Sequence, residues 1–272
     1  VSNLKAVSGY APTESEASSS TPTAISIKNL YKRYGNGPVI LNDINLDIKK
    51  DDFIALIGPS GCGKSTVLKL LAGLTDKTSG DIQFLTSHNK QQPKMGVVFQ
   101  DANLMPWLTV MDNVALPLGL KGMDKSEANK KAEALIEMVG LGHVKNHYPR
   151  QLSGGMKMRV SIARALSVEP ELLLLDEPFG ALDEMTRDDL NEELLKLRQT
   201  HGWSGVFVTH SVTESVFLSS RVLVMSANPG QVYREIKIDF PFPRTAETRQ
   251  LKAFQEKVVE VTQALHELRS LA

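Results

Sequence analysis

The sequence predicts an α/β domain built on a largely parallel sheet with helices over both faces. Three observations lead there. Short apolar runs, FIALI at 53–57, ELLLLD at 171–176, GVFVTH at 205–210 and RVLVM at 221–225, have the length of buried strands and are too short for ordinary helices. They alternate with stretches of helical texture, VLKLLAGL after residue 66 and the segment 184–199. A glycine-rich loop, GPSGCGKST at 58–66, joins the first run to the first of those helices.

In chain order, residues 1–23 are Ser, Thr, Pro, Glu and Ala with little hydrophobicity, which predicts a disordered tail. The ordered domain is expected over 24–240. ISIKNLY (25–31) and VILNDINLDI (39–48) read as strands, with Ile44, Leu46 and Ile48 alternating with polar residues. The turn KRYGNGP between them carries Tyr34. Strands are also expected at 81–85 and 95–99. From about 101 to 160 the texture changes to that of a helical insertion. Asp124 stands three residues before Glu127, the spacing of a capping box. Ala128, Ala132, Leu135, Ile136 and Val139 then recur at helical spacing and Gly140 supplies a stop. Beyond the last buried run, NPGQVYREIKIDF predicts a turn and an edge strand interrupted by Pro241 and Pro243. Residues 241–272 form a C-terminal helical extension. Its stripe of Leu251, Phe254, Val258, Val261, Leu265 and Leu268 predicts a terminal helix docked on its own domain.

The 31 basic residues balance 31 acidic ones, so the chain carries no electrostatic footprint for nucleic acid. No run approaches the roughly 18 apolar residues of a membrane span, and no basic-then-apolar secretory leader is visible. Cys62 is the only cysteine, which excludes an internal disulfide and suits a reducing compartment.

The chemistry begins in the 58–66 loop, which has the form G-x-x-x-x-G-K-[ST] between a strand and a helix. Gly58, Gly61 and Gly63 let successive N–H groups turn inward toward an anion, and the helix start adds unpaired donors. Pro59, Ser60, Cys62 and Thr66 complete the cradle. Lys64 is placed to reach the β- and γ-phosphates and Ser65 to offer its hydroxyl to Mg²⁺. Cys62 faces a helix start and reads equally well as an accessible thiolate or as an inert small residue. In LLLLDEP (172–178) a buried strand delivers Asp176 beside the metal, and Glu177 follows on the other side of the pleat. Ser153-Gly154-Gly155 precedes a further helix and makes a second anion site by the same physics. One γ-phosphate does not need two such sites in one domain. Two copies arranged head to tail would use both.

In this order and spacing, GPSGCGKST, LSGGM, LLLLDEP, ALD and the His210 of FVTH resemble the ATPase subunits of ATP-binding cassette (ABC) transporters, over roughly residues 25–240. The resemblance implies a P-loop NTPase core with an antiparallel N-terminal β-subdomain and an inserted helical subdomain. It implies ATP and Mg²⁺ as ligands and a dimer, of two copies or with a paralogous ATPase, that closes on two ATP molecules. By the same resemblance Tyr34 would stack on adenine, and Gln100 would sense Mg²⁺ and the attacking water. Ser153, Gly154 and Gly155 would touch the partner's ATP and Asp183 would cross the interface. Glu177 would polarise the water while His210 and Lys64 hold the γ-phosphate. The sequence departs from the family's common wording at Met156, at Ser211 and in GALD, none of which removes a phosphate or metal ligand.

The wording of 104–118, 152–160, 176–190 and 209–231 looks most like the importers of nitrate, sulfonates and taurine. That likeness implies two membrane permease subunits, indirectly a solute-binding protein, and a peripheral place on the cytoplasmic face of the membrane. Leu104, Met105, Pro106 and Trp107, an apolar cluster in a polar connector, would dock the permease. Trp107 could otherwise be a local core residue. The competing class is a soluble cassette ATPase of DNA repair, translation or iron–sulfur assembly. Such proteins usually carry two cassettes in one chain or a long coiled-coil insertion, and neither is visible here.

Overall fold

The computed structural model describes residues 22–85, 92–180 and 182–270. The expected tail lies outside them except for its last two residues, because the first strand already begins at Thr23. β1 (Thr23–Arg33) pairs antiparallel with β2 (Val39–Lys49) and with β4 (Ser79–Phe84), giving a three-stranded sheet. The main sheet has six strands. β5 (Met95–Val98), β6 (Leu172–Asp176), β7 (Ser204–Val208), β3 (Phe53–Ile57) and β8 (Arg221–Met225) lie in that order and run parallel. β9 (Val232–Lys237) closes one edge antiparallel to β8, as its mixed polarity predicts, and ends before Pro241 and Pro243.

Both faces of this sheet are buried, which is why its strands read as unbroken apolar runs. Phe53, Ala55, Ile57, Leu173, Leu175, Phe207 and Val222 enter one core with most of the helices. Ile54, Leu56, Leu172, Leu174, Val206 and Leu223 enter the other, with α1 (Lys64–Leu71) and the antiparallel sheet. The period of two along each strand decides which core a residue joins.

Between β5 and β6 lie α2 (Val110–Leu120), α3 (Lys125–Met138) and α4 (Gly154–Leu166), packed on one another. In α3 the expected face, Ala128, Ala132, Leu135 and Ile136, is buried. Its cap differs from the expected box: the Asp124 carboxylate accepts from the N–H of Ser126 at 2.9 Å. α5 (Glu184–His201) and α6 (Val212–Leu218) flank β7 in sequence, and α7 (Ala246–Gln250) leads into α8 (Lys252–Ser270). α8 packs on α6, β8 and β9 through Phe254, Val261, Ala264 and Leu268. Leu251 departs from the expected stripe. It ends α7 in extended conformation, so it lies outside the helix and is exposed.

The sequence gives no hint of Arg244, which is buried at 2 % exposure. It donates to the carbonyls of Val216, Phe217 and Ser219 at the end of α6 and to those of Ile238 and Phe240. Its guanidinium lies 4.1 Å from the ring centre of Phe242. Five carbonyls thus share one cation, which ties the C-terminal extension to α6. Arg244→Ala leaves them without that donor around a new void and is expected to cost about 3 kcal/mol or more. Urea unfolding checks this; a midpoint equal to that of the parent chain would show that the cluster carries no stability.

Candidate functional site

β3 ends at Ile57, and the chain turns through 58–63 before α1 starts. The turn needs glycine where it passes closest to its neighbours. At Gly63, with φ +93°, an added Cβ would stand 2.5 Å from Leu41 Cδ2, and at Gly58 it would stand 2.4 Å from the Met225 carbonyl oxygen. Gly63 caps α1 without a side-chain hydrogen bond and the first turn holds no acid. The donors at this helix start are therefore left for an anion. They open on a cavity of about 350 Å³ lined by Ser60, Gly61, Gly63, Lys64, Ser65 and Thr66. Tyr34, Glu177 and His210 close its other sides.

Lys64 is buried, and its ammonium donates to the carbonyls of Gly58 and Pro59 at 2.9 and 3.0 Å. A full positive charge is thereby held against the loop. Cys62 turns inward and is fully buried, with Sγ 3.7 Å from Lys64 Nζ. Of its two readings the accessible thiolate is thus corrected: the loop packs this side chain into the core beneath the phosphate cradle. Tyr34 is half exposed, and beneath its ring the ammonium of the buried Lys32 lies 4.3 Å from the centroid. Lys32 is anchored in turn on the carbonyl of Asp76.

Asp176 closes β6, and its Oδ1 accepts from the Ser65 hydroxyl at 2.9 Å. Burial lifts its pKa above the usual carboxylate range, against the opposing Ser65 hydrogen bond; the neighbouring Glu177 raises it further. Glu177 follows at φ +48°, in the left-handed region, at a cost of about 1 kcal/mol or more for a residue with a Cβ. Its carboxylate meets His210, Oε1 to Nε2, at 2.7 Å. Gln100, just past β5, joins Glu177 and His210 around a second cavity of about 290 Å³. The Glu177–His210 pair therefore stands between two cavities, lining both.

Residues 41–180 match the model of the ABC transporter family. The chain belongs to that family. It is similar to the aliphatic sulfonates import ATP-binding protein SsuB of Bacillus licheniformis, 42% identical over 245 residues that cover 87% of this chain and 93% of that protein. It is 43% identical to the uncharacterized ABC transporter ATP-binding protein MJ0412 of Methanocaldococcus jannaschii, over 87% of this chain and 90% of that one. Among solved structures it resembles the dimeric post-hydrolysis state of the ATP-binding cassette MJ0796 bound to ADP and Pi. There the TM-score is 0.70 at 35% identity, over 80% of this chain and all of that one. The chain is thus an ABC ATPase, and the expected α/β core with its antiparallel and helical parts is the one observed.

Other expected site residues of this ABC cassette lie away from both cavities. Ser153 caps α4 by accepting from the N–H of Met156, and Asp183 caps α5 by accepting from that of Thr186. The Thr186 N–H holds the Asp183 carboxyl below its usual range. The two helix starts are neighbours: a Cβ on Gly155 would stand 3.0 Å from Thr186 Cγ2, and one on Gly154 3.7 Å from Leu182 Cδ2. Ser153, Gly154 and Asp183 are exposed. Neither cavity is lined by any of the four.

Leu104, Met105, Pro106 and Trp107 form the turn before α2. Trp107 is 70 % exposed, so its reading as a core residue fails. The turn is held from beneath by Asn113, fully buried in α2, whose amide bonds Met105, Leu108 and Thr109. Arg164 of α4 donates to the carbonyls of Ala102 and Asn103. Neither residue announced this role in the sequence, because each acts across a helix packing that periodicity does not specify. Beside the turn, Leu108, Ala115, Leu116, Leu120 and Met123 line an apolar groove of about 300 Å³ on α2 and α3.

Proposed function

We propose that this chain is the ATP-hydrolysing subunit of an importer for a small solute of the nitrate, sulfonate or taurine type, working as a head-to-tail dimer beneath two membrane permeases. The observation that carries the chemistry is the Glu177–His210 contact at 2.7 Å on the wall of the phosphate-loop cavity. A carboxylate there orients and polarises a water, and an imidazole beside it keeps that water and the terminal phosphoryl in line. Lys64 and the N–H groups of 58–66 hold the phosphates, and Tyr34 offers its ring to adenine. Ser65 and Asp176 present hard oxygen donors 2.9 Å apart, a pair that suits Mg²⁺, and Gln100 lines the neighbouring cavity with Glu177. When bound, Mg²⁺ would neutralise charge on the β- and γ-phosphate oxygens.

The exposed starts of α4 and α5, absent from both cavities, are what a second copy would need to complete its site. A paralogous ATPase could supply the same surface. Trp107 and its neighbours form the docking surface for a permease. Among the described residues no helix is long and apolar enough to cross a membrane, so passage of the solute falls to other subunits. The solute class rests on similarity to the sulfonate import proteins.

Uptake of labelled taurine, ethanesulfonate and nitrate by cells lacking this chain tests the reading. Loss of uptake of at least one is expected, with restoration by the intact chain; unchanged uptake of all three would refute the importer assignment. In the same cells Trp107→Ala is expected to lower uptake about tenfold, as loss of an interfacial aromatic anchor does. Phosphate release by the purified variant should stay within about twofold of normal. Full uptake with Trp107→Ala would remove this turn from the docking surface.

A further inference from the structure

Next to His210 lies a carboxylate that the proposed chemistry does not use. Glu214, on α6, is buried at 5 % exposure. Its Oε2 accepts from the Thr209 hydroxyl. Thr209 Oγ1 accepts in turn from the N–H of Ser211 at 3.0 Å, and Ser211 Oγ accepts from the N–H of Glu214 at 3.3 Å. These three bonds tie both chain neighbours of His210 to the start of α6, and the His210 ring itself meets Glu177. Glu214 Oε1 is buried without a hydrogen-bond partner and the residue borders the cavity shared by Glu177 and His210. The cation bordering that cavity, Arg187, donates to the carbonyls of Phe179 and Leu182 at 3.3 and 2.9 Å; its charge and that of Arg249 favour the Glu214 carboxylate, while the charge of Asp188 opposes it.

Packing gives no reason for a carboxylate at this depth. Desolvation outweighs what one hydroxyl bond returns, and burial pushes its pKa up to about 7. A brace for the loop does give a reason. An acceptor at this position orients the Thr209 hydroxyl so that its lone pair faces the N–H of Ser211, and both backbone flanks of His210 are then fixed.

We propose that Glu214 is a positioning residue for His210, acting through the Thr209 hydroxyl to hold the imidazole on Glu177. This rests on the role given to His210 above. Single-turnover release of labelled phosphate from ATP by the full chain tests it. Thr209→Val and Glu214→Leu are expected to slow the step by about tenfold to a hundredfold, the scale of a small misplacement, with the KM for ATP within about twofold. Thr209→Ser and Glu214→Gln, which keep the hydroxyl and an acceptor, should stay within about threefold of the parent. Added to His210→Ala, Thr209→Val should cost less than about twofold more, because its effect passes through the missing imidazole. Equal rates for Thr209→Val and the parent, or the same full loss in the His210→Ala background, would overturn the brace. A normal rate for His210→Ala alone would instead remove the role on which it rests.

Discussion

Glu177→Gln is expected to lower ATP turnover by about 100- to 10,000-fold, the range for loss of a general base, with ATP affinity within about threefold. The amide keeps the size and the hydrogen-bonding reach of the carboxylate, so the 2.7 Å contact with His210 can persist. It loses the charge that polarises water. Glu177 forms no part of the 58–66 cradle, and Asp176 alone of the acidic pair bonds Ser65, so phosphate and metal contacts are left intact. Trapped ATP should therefore accumulate. Phosphate release and retained nucleotide measured on the same sample decide the matter; turnover near that of the parent would take Glu177 out of the chemistry.

Lys64→Ala is the second large effect. The ammonium is the one charge that the loop holds over its own carbonyls, and hydrogen bonds from a cation contribute about 1.5–3 kcal/mol each. ATP affinity is expected to fall by about tenfold to a hundredfold or more, and turnover with it. Calorimetric titration with ATP reads this directly. An unchanged dissociation constant would mean that the backbone donors alone carry the phosphates.

Much of this was legible in the sequence for one physical reason: buried strands and a phosphate loop are local. FIALI, LLLLD and RVLVM are strands because both faces of the sheet are covered, so each run is apolar throughout. The loop and its helix are adjacent in sequence, and the DE pair falls where β6 ends. What escaped was set by distant packing. Cys62 points inward because the loop folds against β8, where the Met225 carbonyl also crowds Gly58. Leu251 loses its place in the stripe because the chain breaks between α7 and α8. Asn113, Arg244 and Glu214 are polar residues inside helices or linkers, and only the fold shows that they brace other segments. The separation of Ser153 and Asp183 from the phosphate cavity, by contrast, is what their expected place across a subunit boundary requires.

That separation carries the central claim, that each nucleotide site is finished by a second copy. Mixing two inactive chains tests it most directly. Lys64→Ala spoils the phosphate loop, and Ser153→Arg blocks the exposed helix start that would cap the neighbour's nucleotide. A head-to-tail mixed dimer still contains one site made of the two unspoiled halves. Equal mixtures should then release phosphate at up to roughly a quarter of the parent rate, since half the dimers are mixed and each has one site of two. A mixture no faster than the sum of its two components would show that each chain completes its own site, and would contradict the account.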